Sequence, residues 1–171
     1  GYDAFARMSR IVKPGGTPSD TIEAPSYAFE YGLQESVPIV GGSGSVNWVE
    51  IRAHEEYGEP NAYFISRKYF DGLSRTVLVK EEDELASRSV VKEANLFNER
   101  KQPHRILLPY YGQAGLSFED IRNPAWTGTW VIDGEERVLG LADAPARETV
   151  YDEKGRTTRT TQPDGSFSRV A

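Results

Sequence analysis

A chain of 171 residues with 20 basic and 26 acidic side chains carries a formal net charge of −6, which offers no basic footprint for nucleic acid and none for an anionic membrane surface. Its hydrophobic fraction of 38% is enough to bury a core, and the lack of cysteine excludes disulfides and thiolate chemistry. No apolar run is long enough to span a bilayer and no secretory signal pattern opens the chain.

In chain order, the first predicted element is a strand over residues 8–12, ended by the turn residues Pro14, Gly15 and Gly16. Residues 15–25 read as a polar loop, and residues 26–31 alternate into a strand with aromatics on one face that is expected to stop at Gly32. Residues 37–40 suit a short edge strand. The run Gly41-Gly42-Ser43-Gly44-Ser45 reads as a flexible linker, and without a following Gly-Lys-Ser/Thr it lacks the chemistry of a phosphate loop. Residues 46–57 and 62–69 pattern as partner strands around Gly58-Glu59-Pro60-Asn61. Residues 70–80 continue the meander, and the acidic stretch 81–88 allows at most a short helix. Strands are expected again over 90–97 and 104–111. From Gly112 the rhythm breaks, and 112–147 reads as an irregular insertion holding one hairpin around Asp133-Gly134. Residues 166–170 resume a strand.

The tail repeats a pattern found three times upstream. In the best copy, Tyr151 and Asp152 are followed by Gly155 and Arg156, then by Pro163 and Gly165. Tyr2, Asp3, Arg7, Arg10, Pro14 and Gly16 keep the same offsets, with Ala6 in place of the glycine. A looser copy has Phe70, Asp71 and Arg75, with Ser74 for glycine and Glu82 for proline. The most degenerate has Phe97, Asn98 and Pro109, with Lys101 for glycine and Gln102 for arginine. Each copy reads as turn, strand, turn, so the expected fold is all-β: an antiparallel meander of hairpins whose units bury their apolar faces against one another. The whole of 1–171 reads as one repeat segment. The repeated aromatic suits a packing rung between hairpins, and the repeated arginine suits a partner for the nearby Asp or for turn carbonyls.

Little in the chain looks catalytic. His54 and His104 are 50 residues apart without metal-ligand spacing, and no serine sits in a Gly-x-Ser-x-Gly elbow. Neighbouring carboxylates such as Glu55-Glu56, Glu81-Glu82 and Glu135-Glu136 point to opposite faces of a strand, which suits a solvated or edge-protecting surface. No catalytic residue, metal site or cofactor is therefore expected. Trp126 and Trp130 remain as candidates for a glycan-stacking platform, against a packing role.

With these motifs the chain resembles the YD-repeat (Rhs) family, whose signature runs roughly Tyr-Asp-x-x-Gly-Arg, then a strand and a Pro-x-Gly turn. Residues 1–123 and 148–171 are similar to the Rhs region of B-component-like proteins of insecticidal toxin complexes, with 124–147 poorly matched. The resemblance implies a β-sheet ribbon spiralling into a hollow shell that encloses a C-terminal toxin segment before delivery. On this view the chain is an excerpt of a larger secreted bacterial protein. Its partners are neighbouring repeats and the enclosed segment, and it has no catalysis of its own. Carbohydrate binding at a cell surface is the alternative role the resemblance implies.

Overall fold

The computed structural model describes residues 1–12, 25–54, 63–85 and 87–169. Among them lie thirteen strands and no helix: β1 (Arg10–Ile11), β2 (Tyr27–Ile39), β3 (Gly42–His54), β4 (Tyr63–Phe70), β5 (Thr76–Glu82), β6 (Arg88–Phe97), β7 (Pro103–Leu107), β8 (Tyr110–Gln113), β9 (Thr127–Ile132), β10 (Glu135–Gly140), β11 (Ala146–Tyr151), β12 (Thr157–Thr161) and β13 (Phe167–Arg169). Pairing is antiparallel throughout and follows chain order from β1 to β7, so the fold is all-β and meander-like. The sheet does not close into a barrel.

At β6 the sheet forks. Residues Ala94 to Phe97 of β6 pair with β7, while Arg88 to Val91 of the same strand pair with β8. Leu108 and Pro109 separate the two, and a proline there cannot donate to either ladder. One branch continues β7, β11, β12, β13, and the other β8, β9, β10. Pro109 therefore sits at a strand break and not in a hairpin turn, unlike Pro163 at the matching offset.

Several local expectations change once pairing is seen. β2 does not stop at Gly32 but absorbs Leu33 and Gln34 as an irregularity, with Gln34 at φ 52°, and resumes against β3. The glycine run is no linker. Ile39 pairs with Gly42, leaving Val40 and Gly41 as a two-residue turn with Gly41 at φ 87°, and the remaining glycines and serines are strand residues of β3. The stretch 81–88 forms no helix in its described residues, because Glu81 and Glu82 complete β5 and Arg88 opens β6. Asp133 and Gly134 both have positive φ, 53° and 82°, which is the primed two-residue turn that an Asp-Gly pair favours. Pro14 and Gly16, the Glu55-Glu56 pair and the turn at 58–61 lie outside the described residues.

The core covers one face of the sheet. Tyr69, Leu78, Val91, Ala94, Leu96, Leu107 and Tyr110 come from consecutive strands, while Leu116, Ile121, Trp126 and Ala144 come from the stretch expected to be an irregular insertion. That stretch is therefore a cover for the sheet as well as the carrier of β9 and β10. It brings a charge with it. Lys80 of β5 is 0% exposed, and its Nζ donates to Glu119 Oε1 at 2.5 Å and to the carbonyls of Ser117 and Gln113 at 3.2 and 3.3 Å. Glu119 also accepts from the Gln113 amide at 2.9 Å and from Trp126 Nε1 at 3.3 Å. Both ions are thus fully partnered, the condition under which burying them is tolerable.

Candidate functional site

The four sequence copies fold into one kind of turn. In each, the amide of the Asp or Asn donates to the carbonyl four residues on, at 2.8 to 3.0 Å: Asp3 to Arg7, Asp71 to Arg75, Asn98 to Gln102 and Asp152 to Arg156. The amide of the residue before that Arg or Gln donates back to the Asp or Asn carbonyl. This is a three-residue hairpin loop, a type I turn followed by one left-handed residue that makes a bulge. The left-handed residues are Ala6 (φ 58°), Ser74 (60°), Lys101 (65°) and Gly155 (79°). Substituting the signature glycine leaves the backbone conformation unchanged, at the steric cost of a Cβ at positive φ. The aromatic of each copy lies opposite the residue after the Arg or Gln: Tyr2 with Met8, Phe70 with Thr76, Phe97 with Pro103 and Tyr151 with Thr157.

The Asp explains why this loop forms. Asp71 Oδ1 accepts from the amides of Leu73 and Arg75 at 2.9 and 3.0 Å, while Oδ2 receives Arg75 Nε at 2.8 Å. Asp3 does the same with Phe5 and Arg7, and Asp152 with Lys154 and Arg156. The carboxylate thus supplies acceptors to turn amides that the ladder leaves free. In the degenerate copy the pair is neutral: Asn98 Oδ1 accepts from the Gln102 amide at 2.9 Å. Partial burial pushes the Asp71 carboxyl up, but the hydrogen bonds and charge of Arg75 outweigh it and hold the group below its ordinary value. The same opposition, resolved the same way, lowers Asp3. At Asp152 the Arg156 hydrogen bonds lead and lower it directly.

The Pro-x-Gly element is the same loop again. The Gln162 amide donates to the Ser166 carbonyl at 2.7 Å, the Gly165 amide to the Gln162 carbonyl at 3.0 Å, and Gly165 has φ 82°. Thr161 then faces Phe167, as Tyr151 faces Thr157. The sequence marks both as turns, one by Tyr-Asp and the other by Pro-Asp-Gly, without showing that they are the same loop. The common signal was the spacing from the strand's last residue to the left-handed glycine.

Three of the turns touch the strand laid beside them by a rule. Arg10 pairs with Ala28, so three residues back on one strand and three forward on the other set Arg7 beside Tyr31. Leu78 pairs with Ala94 and sets Arg75 beside Phe97 by the same count, and Arg105 with Glu148 sets Gln102 beside Tyr151. The contacts follow. Arg7 Cζ lies 4.6 Å from the Tyr31 ring centroid and Arg75 Cζ 4.0 Å from that of Phe97. Tyr31 donates its hydroxyl to the Met8 carbonyl and Tyr151 to the Pro103 carbonyl, each at 2.8 Å, Met8 and Pro103 being the residues after Arg7 and Gln102. Arg75 NH1 donates to the Lys101 carbonyl at 2.5 Å and Gln102 Nε2 to the Gly155 carbonyl at 2.8 Å, so both reach the left-handed residue of the next turn. The Gln102 side chain keeps the contact to the neighbouring turn, while its own turn is bonded through the Gln102 backbone.

The other sequence candidates do not join this ladder. Trp126 and Trp130 are 6% and 3% exposed, their rings 6.0 Å apart and both packed on Tyr110, with Trp126 Nε1 bonded to Glu119. They are not an exposed stacking platform, because the cover over the sheet face consumes both rings. Burial raises the Tyr110 hydroxyl above its ordinary pKa. Glu135 and Glu136 engage Arg137 and Arg88 respectively, on opposite faces of β10. Among the described residues no group of three or more His, Asp or Glu is placed to hold a metal ion.

The arrangement offers stacked guanidinium groups, aromatic faces and turn carbonyls, which is equipment for joining one hairpin to the next. No family model, no curated protein and no solved structure matches this chain.

Proposed function

We propose that the chain is a wall segment of a YD-repeat shell, of the kind that encloses a toxin segment before delivery, and that it acts by shape and burial with no turnover of its own. The observation that supports this reading is the turn-to-turn rule. The turns at 71–75 and 98–102 bond both to themselves and to the next turn, an arrangement suited to stacking in series. The elements at the ends of the two branches, β13 and β10, each have one described strand partner, as an extendable ribbon requires.

The test is the coding sequence that follows Ala171 in the parent gene, combined with limited proteolysis of the full-length product. Further Tyr-Asp turns and a downstream segment that resists protease until the repeats are denatured support a shell. A stop codon at that point, or a downstream segment cut equally fast in the native protein, overturns it.

A further inference from the structure

We infer that the groove at the fork of the sheet is a binding site for a small apolar cation, an amine or onium ion carrying aromatic or alkyl groups.

The fork makes the groove. Where β6 passes its pairing from β7 to β8 the two branches diverge, and a groove of about 760 Å³ lies between them. Leu108 and Pro109 line it at the fork, Tyr111 and Val131 from one branch, and Pro145 and Pro163 from the other. Leu108 and Val131 are 41% and 56% exposed, so apolar surface here is left open to solvent. The walls are fixed without a ligand: the Leu108 amide donates to the Pro145 carbonyl at 2.9 Å, and the Leu108 carbonyl accepts from Trp130 Nε1 at 3.3 Å. A largely apolar, pre-formed groove of this size falls within the range of small-molecule pockets, about 300–1,000 Å³.

Charge sets the sign of the ligand. Asp133, in the β9–β10 turn, and Asp164, in the β12–β13 loop, are the carboxylates that line the groove, and among the described residues no lysine, arginine or histidine lines it. Neither has a described cationic partner. The Asp133 side chain bonds to no described residue, and Asp164 Oδ1 accepts from the amide and hydroxyl of Ser166, both neutral, at 2.9 and 2.6 Å. Asp3, Asp71, Asp120 and Asp152, by contrast, each hold an arginine. Arg88 does stack on the Tyr111 ring, but it is not among the lining residues, and Asp83 and Glu136 neutralise it. Two unpaired carboxylates beside apolar walls focus a negative potential into the groove, where an apolar cation satisfies both surfaces at once. Such a site is independent of the shell reading, which requires no ligand.

Isothermal titration calorimetry of the chain with tetraphenylphosphonium tests this, with tetraphenylborate, an ion of the same shape and opposite charge, as the comparison. The phosphonium should saturate a single site per chain and the borate should not. Asp133→Asn with Asp164→Asn should weaken phosphonium binding roughly tenfold, as expected for removing two partly solvated charges from the groove. Asparagine suits both turns, since it tolerates positive φ before Gly134 and keeps the acceptor for Ser166. Val131→Lys, at an exposed strand position, should abolish phosphonium binding by placing a cation in the groove. Glu99→Gln with Glu153→Gln removes the same charge from exposed turn positions outside the groove and should change binding by less than about twofold. Four results would overturn the inference: no saturable phosphonium binding, borate binding as tight, an Asp133 and Asp164 double variant that binds as the wild type does, or an equal loss in the Glu99 and Glu153 variant. Each leaves the shell reading standing, because that reading is judged on the full-length product.

Discussion

Arg75 and Phe97 belong to different hairpins, yet the guanidinium carbon of the first lies 4.0 Å from the ring centroid of the second. The same arginine donates Nε and NH2 to Asp71 within its own turn at 2.8 and 2.5 Å, and NH1 to the carbonyl of Lys101 across the junction at 2.5 Å. A planar fork with five donors can do these things at once, and a lysine cannot. One side chain therefore closes a turn and sets the position of its neighbour.

Replacing Arg75 by alanine should cost about 1–3 kcal/mol, since it strips a half-buried carboxylate of its charge-assisted bond and removes the stack on Phe97. Asp71→Asn with Arg75→Gln copies the neutral pair of Asn98 and Gln102. The double variant should lose less than the sum of its single changes, by about 0.5–1.5 kcal/mol of coupling. Urea denaturation of the four proteins closes the cycle.

The left-handed turn position should respond in opposite directions in different copies. Ser74→Gly and Lys101→Gly relieve a Cβ at φ 60° and 65°, and each should stabilise by about 0.5–1 kcal/mol. Gly155→Ala should destabilise by about 1 kcal/mol or more, because its Cβ also meets Gln102 Nε2 at 3.1 Å. Thermal unfolding midpoints should rise for the first two variants and fall for the third.

Lys80→Met leaves Glu119 charged inside the fold and should cost about 3–5 kcal/mol. Adding Glu119→Leu should recover a large part of that, even though the Gln113 amide and Trp126 Nε1 lose their acceptor. Denaturant titration separates the two cases. A single variant as stable as the wild type would mean that the cover at 114–126 opens without cost.

Acid should weaken the turns. Asp3, Asp71 and Asp152 are all held below the ordinary carboxyl value of 3.8, so each releases its proton more readily when folded than when unfolded. Their contribution is complete above that ordinary value and is lost as pH falls through the still lower folded values. Stability measured from pH 7 downward should be flat with respect to these groups until about pH 5, then decline most steeply below 3.8. Asp71→Asn should make that decline shallower.

Gly128 admits no side chain. A Cβ there would lie 2.7 Å from Tyr110 and 2.8 Å from Trp130, both rings buried in the core, so Gly128→Ala should cost about 1–3 kcal/mol. Loss of near-ultraviolet circular dichroism from those rings, with the strand signal kept, would locate the damage.

The turns were the most legible part of the chain, because Asp, a left-handed residue and Arg at fixed offsets are short-range chemistry that local sequence must carry. Even there, the glycine could be replaced by Ala6, Ser74 and Lys101 without changing the loop, which only the backbone angles reveal. The glycine run at 41–45 was misread as a linker because flexibility is the default for glycine and serine, and strand pairing overrode it. The tryptophans were ambiguous because aromatic residues serve cores and surfaces alike. Their burial depends on a segment whose own sequence shows no repeat.

Local sequence by itself determined that the chain would be an antiparallel β meander and where most of its hairpins turn, since alternation and turn residues act over a few positions. Tertiary structure decided the fork at β6, the conversion of 112–147 into a cover with a buried ion pair, and the contact of Arg75 with Phe97 and Gln102 with Gly155. Those rest on register between strands and on which face is covered. The two junction contacts join residues 22 positions apart, as Arg75 and Phe97 are, and 53, as Gln102 and Gly155 are, distances over which no local pattern has a physical means of speaking.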